Sequence, residues 1–118
     1  MKYTYRAIVE RIVDGDTLRV SVDLGFGVWL HDITVRLFGI DAPERDTEAG
    51  RTASERLRVR LKDQEIVLQT IKDRTGKYGR WLGIVYHKEE NINMWLLGSG
   101  LAVPYPTRKK PDPVNTNA

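Results

Sequence analysis

The stretch Arg36-Leu37-Phe38-Gly39-Ile40-Asp41-Ala42-Pro43-Glu44 puts a guanidinium and two carboxylates within a few residues of one another. Its first half alternates β-forming residues, and Pro43 ends a strand without needing a ladder N–H. Two further fragments complete a constellation. Asp14-Gly15-Asp16-Thr17 interrupts an earlier strand pattern, and Lys77-Tyr78-Gly79-Arg80 opens a later one. Acids able to hold a hard cation, together with separate arginines able to grip a phosphate, point to metal-assisted cleavage of a phosphodiester.

Asp16 and Asp41 are the candidate metal ligands, each at a strand end where a barrel brings remote residues together. A hard cation such as calcium takes oxygen donors, with water filling the remaining positions. Read alone, Asp14-Gly15-Asp16 is also an ordinary turn signal. Glu44 follows a rigid proline, which would aim it at solvent on the cation. A carboxylate is a weak base, so proximity must do much of the work. Its plain alternative is a surface glutamate or the start of a helix.

Arg36 and Arg80 are the candidate phosphate ligands, because guanidinium is planar, always charged and able to pair with phosphoryl oxygens. Their plain alternatives are a solvated strand position and a loop cation beside Lys77. Lys77, Tyr78 and Tyr105 could hold a terminal phosphate and stack on a base, or pack against the fold. Three carboxylates at ~5 Å spacing cost roughly 3 kcal/mol per like-charge pair at an effective dielectric near 20. A purely structural cluster would not collect such charge.

The elements that must position these groups follow from the hydrophobic period. Tyr5 to Val13 reads as a strand, with Ala7, Val9 and Val13 on one face and Ile8 and Ile12 on the other. Asp14-Gly15-Asp16 turns it, and Thr17 to Val22 returns as a hairpin. Gly25-Phe26-Gly27 marks a second bend, and Ile33 to Ile40 supplies a third strand. Ala49, Ala53, Leu57 and Leu61 then recur every fourth residue, the stripe of an amphipathic helix. Thr47 and Thr52 are both candidate caps, the second with Glu55 three residues on. Ile66 to Ile71 and Trp81 to Tyr86 return to strand character. Asn91 can cap a short helix carrying Ile92, Trp95 and Leu96, ended by Gly98 and Gly100. Five strands with a helix between the third and fourth is the order of an OB-fold barrel, an α+β architecture.

Asp14-Gly-Asp-Thr, Arg36-Leu-Phe-Gly-Ile-Asp-Ala-Pro-Glu, Lys77-Tyr-Gly-Arg and Gly98-Ser-Gly-Leu-Ala occur in the order and spacing of the staphylococcal nuclease family. The resemblance runs from about Tyr5 to about Tyr105 and implies the same five-stranded OB-fold barrel. It also implies calcium held by Asp16 and Asp41 with the backbone carbonyl of Ala42, a position where many relatives carry threonine. Glu44 takes the implied base role, Arg36 and Arg80 the phosphate, and Lys77, Tyr78 and, less closely, Tyr105 the nucleotide. The implied reaction is hydrolysis of DNA or RNA by metal-oriented water, leaving 3′-phosphate and 5′-hydroxyl ends. Low sequence specificity and a preference for unpaired strands would follow from a barrel that reads backbone and stacked bases. The chain departs from the family in a shortened loop, Arg45 to Gly50, and in prolines 104, 106, 111 and 113 where a third helix usually continues. A non-catalytic nucleic-acid-binding module of the same fold is the alternative reading.

Bulk properties bound these expectations. At 118 residues, with 41% hydrophobic and 30% charged, the chain has the size and composition of one globular domain. Residues 1–105 would form it, and 106–118 a loose, proline-rich basic tail. A net charge of +3 and a pI near 9.3 favour polyanionic partners. The absence of cysteine excludes disulfides and thiolate zinc sites. His31 and His87 stand apart from partner residues, and Trp29, Trp81 and Trp95 read as packing. No apolar run approaches the roughly 20 residues of a membrane span. Without a visible signal peptide, the expected setting is a cytoplasmic monomer, with phage or mobile-element origin and a trimmed secretion signal as open alternatives.

Overall fold

The computed structural model describes residues 3–71 and 81–105. Five long strands wrap into a closed barrel: β1 (Tyr3–Asp14), β2 (Thr17–Gly25), β3 (Val28–Leu37), β5 (Glu65–Ile71) and β6 (Trp81–His87). They follow the order β3-β2-β1-β5-β6, and a β3–β6 pairing closes the ring. That closing pair is parallel, with Val35, Arg36 and Leu37 opposite Trp81, Leu82 and Gly83, whereas the other neighbours are antiparallel. A glycine suits the closing strand: a Cβ on Gly83 would lie 2.6 Å from Leu68 Cδ1 and 3.1 Å from Val35 Cγ1, and those side chains would have to shift. Two short pairs complete the sheets. β7 (Glu90–Asn91) joins β6, and β4 (Ile40–Asp41) pairs with β8 (Val103–Pro104). The five-stranded barrel with its two helices is the OB-fold α+β class that the residue pattern predicts.

Alternation decides which side chains fill the barrel. Ala7, Val9, Leu18, Val20, Val35, Leu37, Ile66, Leu68 and Val85 are all buried. One facing differs from the simple period-2 reading. Ile12 points inward with Ala7 and Val9, because the β1–β2 register shifts between Val9 and Arg11. The extra residue re-phases the strand, as a bulge does.

Helix α1 (Glu48–Leu61) supplies Ala53, Leu57 and Leu61 to the core. Of the two candidate caps, Thr47 is the one used: its side chain accepts from the Gly50 N–H. Ala49, expected on the apolar stripe, is exposed, and Gly50 is buried in its place. Helix α2 (Ile92–Gly98) is capped by the Asn91 side chain as the sequence suggests. Trp95 packs at the core edge under Arg60, whose Cζ lies 4.7 Å from the ring centroid.

Asn93 on α2 carries more structural weight than its sequence signals. Buried at 4% exposure, it accepts from the Val85 N–H at 3.0 Å and donates to Phe38 O at 2.9 Å and Gly83 O at 3.1 Å. It therefore ties α2 to β6 and to the turn that carries Ile40 and Asp41. Asn93→Ala strands these buried groups and is expected to cost about 3 kcal/mol, read as a lower urea midpoint at unchanged m-value.

Candidate functional site

The β1–β2 hairpin brings the first acid into place. Asp14 and Thr17 face each other across a tight turn holding Gly15 and Asp16. Asp16 O accepts the Leu37 N–H at 2.8 Å, and Thr17 pairs with Arg36, so the turn docks on the end of β3. Gly15 allows this approach. A Cβ there would lie 2.8 Å from Ala42 Cβ and 2.9 Å from Ala53 Cβ. The hairpin turn, the segment after Asp41 and helix α1 thus meet through small residues.

Arg36 stands between the two candidate metal ligands. Its Nη1 lies 3.4 Å from Asp16 Oδ2, and its Nη2 donates to Asp41 Oδ1 at 3.2 Å and to Ile40 O at 3.3 Å. Asp16 is the more tightly held acid. Its Oδ2 also accepts the Ala42 N–H at 2.9 Å, and its Oδ1 accepts the Thr17 hydroxyl at 2.9 Å. Side-chain exposures of 11% for Asp16, 13% for Arg36 and 45% for Asp41 mean that the site opens to solvent on the Asp41 side. Tyr105 roofs it, with its ring centroid 5.1 Å from Arg36 Cζ. Its N–H donates to Gly39 O at 2.9 Å, continuing the β4–β8 pairing that holds residues 103–105 against this strand.

Electrostatics separate the paired aspartates of the turn. Burial by itself would raise the Asp16 carboxyl. Hydrogen bonding to Asp14, the Ala42 N–H, the Arg36 charge and the Thr17 hydroxyl together hold it below its ordinary value. Asp14 moves the other way, raised by its burial and by the adjacent Asp16. Of the two, Asp16 keeps its charge to the lower pH.

The structure therefore brings together Asp16, Arg36, Asp41, Ala42 and Tyr105. Glu44 sits two residues beyond Ala42, exposed, and its carboxylate makes no hydrogen bond or ion pair among the described residues. Lys77, Tyr78 and Arg80 lie outside the described residues. Trp81, the residue after Arg80, sits opposite Val35 and beside the Arg36 strand. Neither histidine faces the acids: His31 Nδ1 is 2.9 Å from Ser21 Oγ, and His87 Nε2 is 3.3 Å from Gln64 Oε1. Among the described residues no three His, Cys, Asp or Glu side chains converge on one point. The donors on offer are the Asp16 and Asp41 carboxylates, with the Ile40 carbonyl already engaged by Arg36. Such an all-oxygen set fits a hard cation that keeps several waters and does not suit zinc.

A model of the family described as staphylococcal nuclease homologue matches residues 34–117. Micrococcal nuclease of Shigella flexneri is 35% identical over 116 residues, which cover 91% of this chain and 62% of that protein. Thermonuclease of Staphylococcus intermedius is 34% identical over 101 residues, covering 80% of this chain and 56% of that protein. An uncharacterized endonuclease of Escherichia coli is 29% identical over 98 residues, covering 82% and 59%. The chain thus spans between 56% and 62% of the length of these relatives.

The shifted Asp16 makes stability depend on pH with a definite sign. Its folded pKa lies below the ordinary 3.8, so its contribution is complete above that value and is lost as pH falls through the folded pKa. Arg36→Met removes one cause of the depression. In chelator, carboxyl NMR should show Asp16 titrating higher than in wild type, and acid unfolding should begin at a higher pH.

Proposed function

We propose that this chain, which belongs to the staphylococcal nuclease family, is a calcium-dependent nuclease hydrolysing the phosphodiester bonds of DNA or RNA. The observation that carries this reading is Arg36 lodged between Asp16 and Asp41 at the ends of separate strands. A fold that needed only packing would not hold two acids and an arginine at an open rim.

Asp16 and Asp41 would hold calcium with the Ala42 carbonyl. Bound calcium supplies positive charge for the phosphoryl oxygens and for the attacking water. Arg36 spends part of its fork on Asp41 and Ile40 and keeps further N–H groups for a phosphoryl oxygen. Arg80 joins it as the second guanidinium, matching the charge that grows on the equatorial oxygens. Glu44 orients the water and takes its proton while the water oxygen bonds to phosphorus. The bond to the 5′ oxygen breaks, that oxygen acquires a proton from solvent, and the phosphate stays on the 3′ side. Lys77 and Tyr78 contact the nucleotide. Tyr105, already stacked over Arg36, borders the place where a base would lie. Bases must be splayed to meet such a rim, which favours unpaired strands and gives little sequence preference.

The test is cleavage of single-stranded DNA with calcium and with chelator, beside Arg36→Ala and Arg80→Ala. Wild type should cut only with calcium, and each variant should lose on the order of 10³- to 10⁵-fold in rate, by analogy with other phosphoryl-transfer arginines. Calcium should also raise the melting midpoint, by about 2.7 kcal/mol of added stability at a hundred times its dissociation constant, and Asp41→Asn should abolish that rise. Wild type that binds the strand without cutting it would leave a binding module instead.

A further inference from the structure

Among the described residues the Glu44 carboxylate has no side-chain partner, and the contacts that fix its position act on its main chain. Two residues of the α1 N-terminus supply them. The Glu44 carbonyl accepts the Thr47 N–H at 3.0 Å and the Thr47 hydroxyl at 2.6 Å. The same hydroxyl oxygen accepts the Gly50 N–H at 3.0 Å as the helix cap. One hydroxyl thus donates to the loop and accepts from the helix, using both of its capacities.

Gly50 closes the other side. A Cβ at this position would lie 1.9 Å from Glu44 O, 2.7 Å from Glu44 C and 3.1 Å from Arg45 Cα. The glycine is needed for contact, not for an unusual backbone angle, since any side chain would displace the Glu44 peptide. Glycine is otherwise a poor helix residue. The Asp46 carbonyl is braced as well, accepting from Arg51 Nη1 at 2.9 Å. Upstream, the Ala42 N–H is bonded to Asp16 Oδ2 at 2.9 Å. Glu44 therefore lies between two anchors, one on a candidate metal ligand and one on the first turn of α1.

We propose that Thr47 and Gly50 are positioning residues that hold the Glu44 main chain in register with Asp16, so that the general base is set by a backbone clamp. This inference rests on the nuclease reading above. A base held in place spares the reaction the search for its geometry, and a displacement of about 1 Å can cost on the order of 10²-fold in rate.

Capping and clamping can be separated chemically. Thr47→Asp keeps an oxygen to accept the Gly50 N–H but, once ionised, has no proton to donate to Glu44. Thr47→Ser keeps both functions. With single-stranded DNA and saturating calcium, Thr47→Asp and Gly50→Ala should lower kcat on the order of 10²-fold, with KM and the calcium-induced rise in melting midpoint unchanged. Thr47→Ser should retain wild-type kcat. In a Glu44→Gln background, Thr47→Asp should cause no further loss, because the residue it serves is already gone.

Wild-type kcat in Thr47→Asp, or an equal loss with and without Glu44, would overturn the clamp while leaving the nuclease intact. An inert wild type, or Glu44→Gln as active as wild type, would overturn the assignment of Glu44 and the clamp with it. Gly50→Ala is read only with an unchanged circular dichroism spectrum. Thr47→Asp decides the matter if that variant does not fold.

Discussion

The site depends on one guanidinium shared by two acids from different parts of the chain. Asp16 arrives on the β1–β2 turn and Asp41 on the short strand after β3. Left to themselves, two carboxylates at ~5 Å repel by roughly 3 kcal/mol at an effective dielectric near 20. Arg36 Nη1 lies 3.4 Å from one and its Nη2 3.2 Å from the other, so the attraction it makes to each acid opposes that repulsion. It is held to this role by geometry: the Ile40 carbonyl takes a third contact and Tyr105 covers the face of the fork. The parallel β3–β6 pairing then becomes a functional constraint, because it fixes the strand from which Arg36 projects and brings Trp81 beside it.

Close approach of backbones is the second constraint, and small residues provide it. Gly83 suits the strand that closes the barrel, Gly15 seats the aspartate turn on Ala42 and Ala53, and Gly50 admits the Glu44 carbonyl. In each case the missing Cβ is measured by a clash and not by a positive φ.

Much of this was legible from residue order. The strand meander, the helix between the third and fourth of the five barrel strands, the Asn91 cap and the convergence of Asp16, Arg36 and Asp41 follow from periodicity, turn residues and motif spacing. What escaped were interactions without a periodic signature. The inward turn of Ile12 comes from a register shift that no alternation announces. Asn93 reads as one more polar residue on a short helix until its three backbone partners are seen. Val103–Pro104 pairs with Ile40–Asp41 although proline argues against a strand, an exception allowed at an edge. Gly50 had a signal that could have been used: a glycine in the first turn of a helix, where alanine would be favoured, calls for a close neighbour.

The three carboxylates are fixed in three different ways, and the differences suit the role proposed for each. Asp16 is buried and receives hydrogen bonds on both oxygens, which favours its ionised form. Asp41 is half-exposed and receives Arg36 on one oxygen, Oδ1, which leaves its outer side toward solvent. A carboxylate intended to accept a proton has the opposite requirement. Hydrogen bonds donated to its oxygens stabilise the charge and make it a weaker base, so it must be positioned without being touched. The main-chain clamp of Thr47 and Gly50 meets that requirement. It fixes where the Glu44 side chain starts without a hydrogen bond to either carboxylate oxygen among the described residues.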